Sequence, residues 1–144
     1  MKLEQQVVSL ELAKKLKELG VSQQSLFWWE WYITTEIKKS TDIPPKIVYL
    51  PNKPSTGGKP LRNAQHYAAF TVAELGEMLP ARVRKFKLQA DKMPGGDWFV
   101  SYVSFLNCDE KKFIQYSYTE ADARAKMLIY LIENELLDPK TLSI

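Results

Sequence analysis

Thr119-Glu120-Ala121-Asp122-Ala123-Arg124-Ala125-Lys126-Met127-Leu128-Ile129-Tyr130-Leu131-Ile132-Glu133-Asn134-Glu135-Leu136 is the stretch from which the fold is read. Thr119 is a good N-cap, and Asp122 three residues later completes a capping-box-like pair, so the free N–H groups of the first turn find acceptors. Glu120 and Asp122 also suit the positive end of the helix dipole. Glu120 with Arg124, and Asp122 with Lys126, are acid-before-base pairs at i,i+4, each contributing a few tenths of a kcal/mol. The apolar run 127–132 points all round a helix, so its second half has to be covered on more than one side. Asp138-Pro139 is where the helix is expected to stop. This is a core helix.

Working back toward the N-terminus, three strands are expected at residues 82–89, 98–106 and 111–118. Met93-Pro94-Gly95-Gly96 and Asn107-Cys108-Asp109-Glu110 serve as the turns of an antiparallel meander. The middle strand puts Trp98, Val100 and Tyr102 on one face and Phe99, Val103 and Phe105 on the other, so both faces are expected to be covered. Thr71-Val72-Ala73-Glu74 is a capping box opening a short helix that Pro80 closes. Val72, Leu75, Met78 and Leu79 form its core face, and Gly76 costs it about 1 kcal/mol against alanine.

Residues 26–35, rich in aromatic and β-branched side chains, read as a further strand. Ser9 opens a helix through Leu19 with Leu12, Ala13, Leu16 and Leu19 as its apolar stripe, and Gly20 follows where a left-handed residue is wanted. Residues 1–8 are expected to be loosely held. Residues 40–63 form a proline-rich irregular segment, within which 46–50 can make a short edge strand.

A chain of 144 residues fits one domain, here taken as 1–144, and can bury a core without staples. The single cysteine excludes an internal disulfide, and the single histidine excludes a His pair. The N-terminus lacks the apolar region of a signal peptide, and no run approaches the roughly 18 apolar residues of a membrane span. A cytoplasmic, reduced protein away from membranes is the expectation. The net charge of +3 is unevenly spread: residues 38–92 hold eleven Lys or Arg against four Asp or Glu, and the rest of the chain nine against thirteen. A basic middle between acidic ends is the electrostatic footprint of a nucleic-acid binder. Basic residues on strands also protect sheet edges from aggregation, which is the preferred account at this level.

Catalytic and metal chemistry find little to build on. Nucleophilic catalysis needs an activated Ser, Cys or Thr beside a base, and neither His66 nor Cys108 has such a neighbour in sequence. The HExxH, CxxC and EF-hand spacings are missing. Pro54-Ser55-Thr56-Gly57-Gly58-Lys59-Pro60 departs from a phosphate-binding loop because Pro60 stands where Ser or Thr is required. No catalytic residue, metal site or cofactor is expected.

The segment from Ser9 to Gly20, followed by Gln24-Ser25-Leu26-Phe27-Trp28-Trp29, resembles the opening of small proteins encoded by bacteriophages and prophages of gut bacteria. Phe70-Thr71-Val72-Ala73-Glu74-Leu75 and the segment from Glu120 to Asn134 resemble the same group. These pieces cover about a third of the chain and frame nearly all of it. The group is similar in layout to the phage α–β–α sandwich proteins. The resemblance implies a phage-type origin and a layered fold, and it brings no catalytic residues with it.

The expectation is therefore an α+β domain: an antiparallel sheet of about four strands sandwiched by helices in α–β–α layers. The preferred function is a non-catalytic accessory or interaction protein with an unidentified protein partner, or a homodimer formed through an apolar helix or a sheet edge. The alternative is a nucleic-acid-binding protein using Lys59, Arg62, Arg82, Arg84, Lys85 and Lys87.

Overall fold

The computed structural model describes residues 1–32, 44–49, 64–107 and 109–142. Its helices are α1 (Leu3–Gln6), α2 (Leu10–Glu18), α3 (Val72–Met78) and α4 (Glu120–Glu133), with a 3₁₀ turn at Pro139–Thr141. The strands are β1 (Phe27–Tyr32), β2 (Lys46–Tyr49), β3 (Ala64–Ala68), β4 (Arg82–Val83), β5 (Phe86–Lys92), β6 (Trp98–Ser104) and β7 (Lys111–Ser117). They form two antiparallel sheets, one of order β2-β1-β3 and one of order β4-β5-β6-β7. The protein is α+β with a four-stranded antiparallel sheet, as expected.

Helix α4 is the hub. Thr119 Oγ1 accepts the N–H of Asp122 at 3.2 Å, and Arg124 Nη2 donates to Glu120 Oε1 at 2.7 Å. Asp122 does not meet Lys126. Its Oδ1 accepts the backbone N–H of Ser9 at 2.7 Å, and Lys126 Nζ donates instead to the carbonyl of Tyr116. Met127, Leu128 and Leu131 are fully buried, while Ile129, Tyr130 and Ile132 pack around them, so the apolar run is covered on several sides. The neighbours are α1, α2, α3, β6 and β7.

The helix ends at Glu133, earlier than Asp138-Pro139. Glu135 adopts φ +58°, which lets the N–H groups of Glu135 and Leu136 reach the carbonyls of Ile132 and Leu131. That pair of bonds satisfies carbonyls the helix end would otherwise leave open.

Helix α3 keeps its capping box: Thr71 Oγ1 accepts from Glu74 N–H, and Glu74 Oε2 accepts from Thr71 N–H at 2.7 Å. The Glu74 carboxylate also accepts from Ser25 Oγ at 2.9 Å, tying α3 to the start of β1. A Cβ at Gly76 would lie 3.0 Å from Arg124 Nη1, so this glycine leaves room for the guanidinium that α4 sends toward α3. Gly20, at φ +88°, ends the α2 segment in the expected left-handed conformation.

Four expectations need correction. The N-terminus is tied down, because Val8 N–H donates to Phe70 O, Trp29 Nε1 donates to Val8 O at 2.7 Å, and both Val7 and Val8 are buried. Ser9 occupies the N-cap position of α2 but makes no side-chain capping bond. Residues 64–68, not anticipated as a strand, form β3 because β1 offers its second edge to them, with Trp29 opposite Tyr67 and Glu30 opposite His66. The basic strand expected at 82–89 is broken by a two-residue turn at Arg84-Lys85, with Arg84 at φ +54°. Of the proline-rich segment 40–63, only 44–49 lie within the described residues. There Lys46–Tyr49 is an edge strand, as expected.

One core unites both sheets. Trp28 and Ala68 from the smaller sheet join Phe86, Val100 and Tyr102 from the larger one, against Leu16, Leu75 and the buried residues of α4. No helix among the described residues is long and apolar enough to cross a membrane.

Candidate nucleic-acid interface

The turn at Arg84-Lys85 decides which cations come together. Val83 and Phe86 flank it, pair with each other, and are both buried, so they anchor the hairpin to the core. Arg82 Nε donates to the carbonyl of Arg84, and Leu88 N–H donates to Ala81 O at 3.0 Å. Arg82, Arg84, Lys85 and Lys87 are left exposed around that anchor.

Register then extends the cluster across the sheet. Arg82 lies opposite Lys87, Lys87 opposite Val103, and Val103 opposite Lys111. Directly paired residues on antiparallel strands share a face, and neighbouring strands stand about 4.8 Å apart. Arg82, Lys87, Val103 and Lys111 therefore form one row across all four strands, three of them cationic. Lys112 follows on β7, opposite Tyr102.

Four of the cations here lie near aromatic rings. Arg82 lies 5.3 Å from the ring of Phe105, Lys111 lies 4.7 Å from Phe99, and Lys85 and Lys112 both approach Phe86. The ion pairs among the described residues are Lys15–Glu133, Lys46–Glu30, His66–Glu30 and Arg124–Glu120, and none involves this cluster. Asp91, at the opposite end of β5, accepts a hydrogen bond from Gln89 Nε2. Tyr102 adds no negative charge, because burial pushes its phenol well above the ordinary range and its O–H donates to Pro80 O at 2.8 Å.

The energetics are lopsided. Like charges directly opposite on paired strands are destabilising by some tenths of a kcal/mol. Arg82 and Lys87 stand in that relation, and no acid among the described residues pairs with either. Edge protection accounts for Arg82 on β4 and Lys111 on β7, which are edge strands. It does not account for Lys87, which has a paired neighbour on each side.

The chain matches no known protein family, no curated protein and no solved structure. The interface is therefore read from its own geometry.

Of the residues singled out from sequence, Arg82, Arg84, Lys85 and Lys87 gather here, while Lys59 and Arg62 lie outside the described residues. Lys111, Lys112 and Phe105 join them unannounced, since their place depends on strand register. His66 is elsewhere, on β3: its Nε2 lies 3.3 Å from Glu30 Oε2, and Lys46 Nζ lies 3.5 Å from Glu30 Oε1. That trio is a cross-strand polar row, as Lys46, Glu30 and His66 are direct register partners. Cys108 lies outside the described residues. Among the described residues no three His, Cys, Asp or Glu side chains gather as metal ligands.

Proposed function

We propose that this is a non-catalytic nucleic-acid-binding protein whose row Arg82–Lys87–Lys111 engages the phosphate backbone. The observation that carries this reading is the Arg82–Lys87 pair: two cations held opposite one another, continued by Lys111, with no carboxylate partner among the described residues. Self-repulsion in the free protein is relieved when phosphates replace the small counterions, and release of those ions drives binding. Arg84 and Lys85, in the adjoining turn, enlarge the positive surface. The likeness to small phage and prophage proteins belongs to the same proposal and rests on the sequence segments alone.

The test is fluorescence anisotropy of labelled DNA and RNA at about 50 and 200 mM salt. Neutralising three to five phosphates predicts a loss of affinity between the two conditions of roughly 20- to 130-fold for a single strand and roughly 40- to 500-fold for duplex DNA. The double variant Arg82→Glu/Lys87→Glu should abolish binding at both. No binding of wild-type protein at the lower salt would sink the proposal.

A protein partner or a second copy of the chain is the competing reading, favoured by Ile114 and Tyr116, which are exposed on β7. Association through apolar surface would survive the salt increase that breaks phosphate contacts.

A further inference from the structure

Resting on the nucleic-acid reading above, we infer that the bound strand is single, with a base stacking on Phe105 while the phosphates follow the cation row. Phe105, just past the end of β6, is 53 % exposed. The Arg82 guanidinium lies 5.3 Å from its centroid, and the backbone N–H of Phe105 donates to Lys85 O at 3.3 Å, so the ring is braced by the basic turn. A second exposed ring, Tyr116, lies on the same face in a separate register row, Asp91–Phe99–Tyr116. Tyr116, 60 % exposed, packs 5.9 Å from Phe99, the same ring that Lys111 reaches.

The row thus has an aromatic platform beside it at the basic turn, with the Arg82 guanidinium against that ring. Duplex nucleic acid keeps its base faces stacked on one another and offers none to such a ring. An unpaired strand exposes a π-face at every nucleotide, and stacking on an aromatic side chain is tolerant of sequence. Arginine beside the ring adds to the attraction for a stacked base. An exposed aromatic platform beside a cation row therefore selects for the single strand.

The experiment compares three labelled probes of about 16 nucleotides, a length that covers the usual single-strand site. They are a single strand, its duplex, and an abasic single strand carrying the same phosphates. The intact single strand should bind about tenfold or more tighter than either of the others, the order expected from one stacked base. Phe105→Ala should bring the single strand down to the abasic level, and Phe105→Trp should retain the preference.

Equal or tighter binding of the duplex, or an unchanged affinity in Phe105→Ala, would overturn the single-strand assignment and leave the cation row standing. Failure of all three probes to bind at about 50 mM salt would remove both. The abasic comparison uses the wild-type protein, so its outcome does not depend on how any variant folds.

Discussion

Asp122 Oδ1 accepts the backbone N–H of Ser9 at 2.7 Å, joining the first turn of α4 to the residue that opens α2, 113 positions away in sequence. The bond is charge-assisted and partly buried, and it holds two helices whose apolar faces share one core. Asp122→Ala leaves the Ser9 N–H without its acceptor and should destabilise the fold by about 1–3 kcal/mol. Asp122→Asn retains an acceptor and should lose less. Urea unfolding monitored by tryptophan fluorescence checks both; equal losses in the two variants would mean that the bond contributes nothing specific.

Tyr102 makes stability sensitive to alkali. Burial raises its folded pKa above the unfolded value of about 10, so the native state keeps the phenolic proton after the unfolded chain has begun to lose it. The associated stability is fully present below pH 10 and declines as pH rises beyond it, at up to about 1.4 kcal/mol per pH unit. Tyr102→Phe should lower stability at neutral pH by about 1 kcal/mol, through loss of the bond to Pro80 O, and should flatten the alkaline decline. Denaturation between about pH 8 and 11 reads both effects, and identical pH profiles would refute the role of Tyr102.

Glu135 closes α4 in a left-handed conformation that costs a side-chain-bearing residue about 1 kcal/mol. Glu135→Gly should therefore stabilise the protein by about that amount, whereas Glu135→Ala, which keeps a Cβ, should not. Thermal unfolding distinguishes them. A destabilised glycine variant would show that the Glu135 side chain makes a contribution larger than its backbone strain.

What could be read from the sequence was whatever local chemistry decides. Thr119, Thr71 with Glu74, and Gly20 announce helix boundaries because caps act within three or four residues, and each stands where expected. Ala64–Ala68 has no strong strand propensity of its own and becomes a strand only because β1 accepts it, which is a tertiary effect. The Arg84-Lys85 turn lacks the glycine or asparagine that normally signals a two-residue hairpin, so nothing local marks it. Once that turn is placed, register follows, and Lys111 and Lys112 join the four cations of the hairpin. Val7-Val8 is the quiet cue at the N-terminus: two β-branched apolar residues in a polar segment, both buried in the fold.

The central claim is that the cation row touches phosphate. The dependence of affinity on salt for wild type and for Lys87→Ala/Lys111→Ala, measured with a labelled single strand, tests this directly. Contacts from Arg82, Lys87 and Lys111 predict a slope of log K against log salt of about −2 or steeper, and loss of two contacts should make it shallower by about 1.4. A wild-type slope near zero, or one that the double variant leaves unchanged, would contradict the assignment of this row.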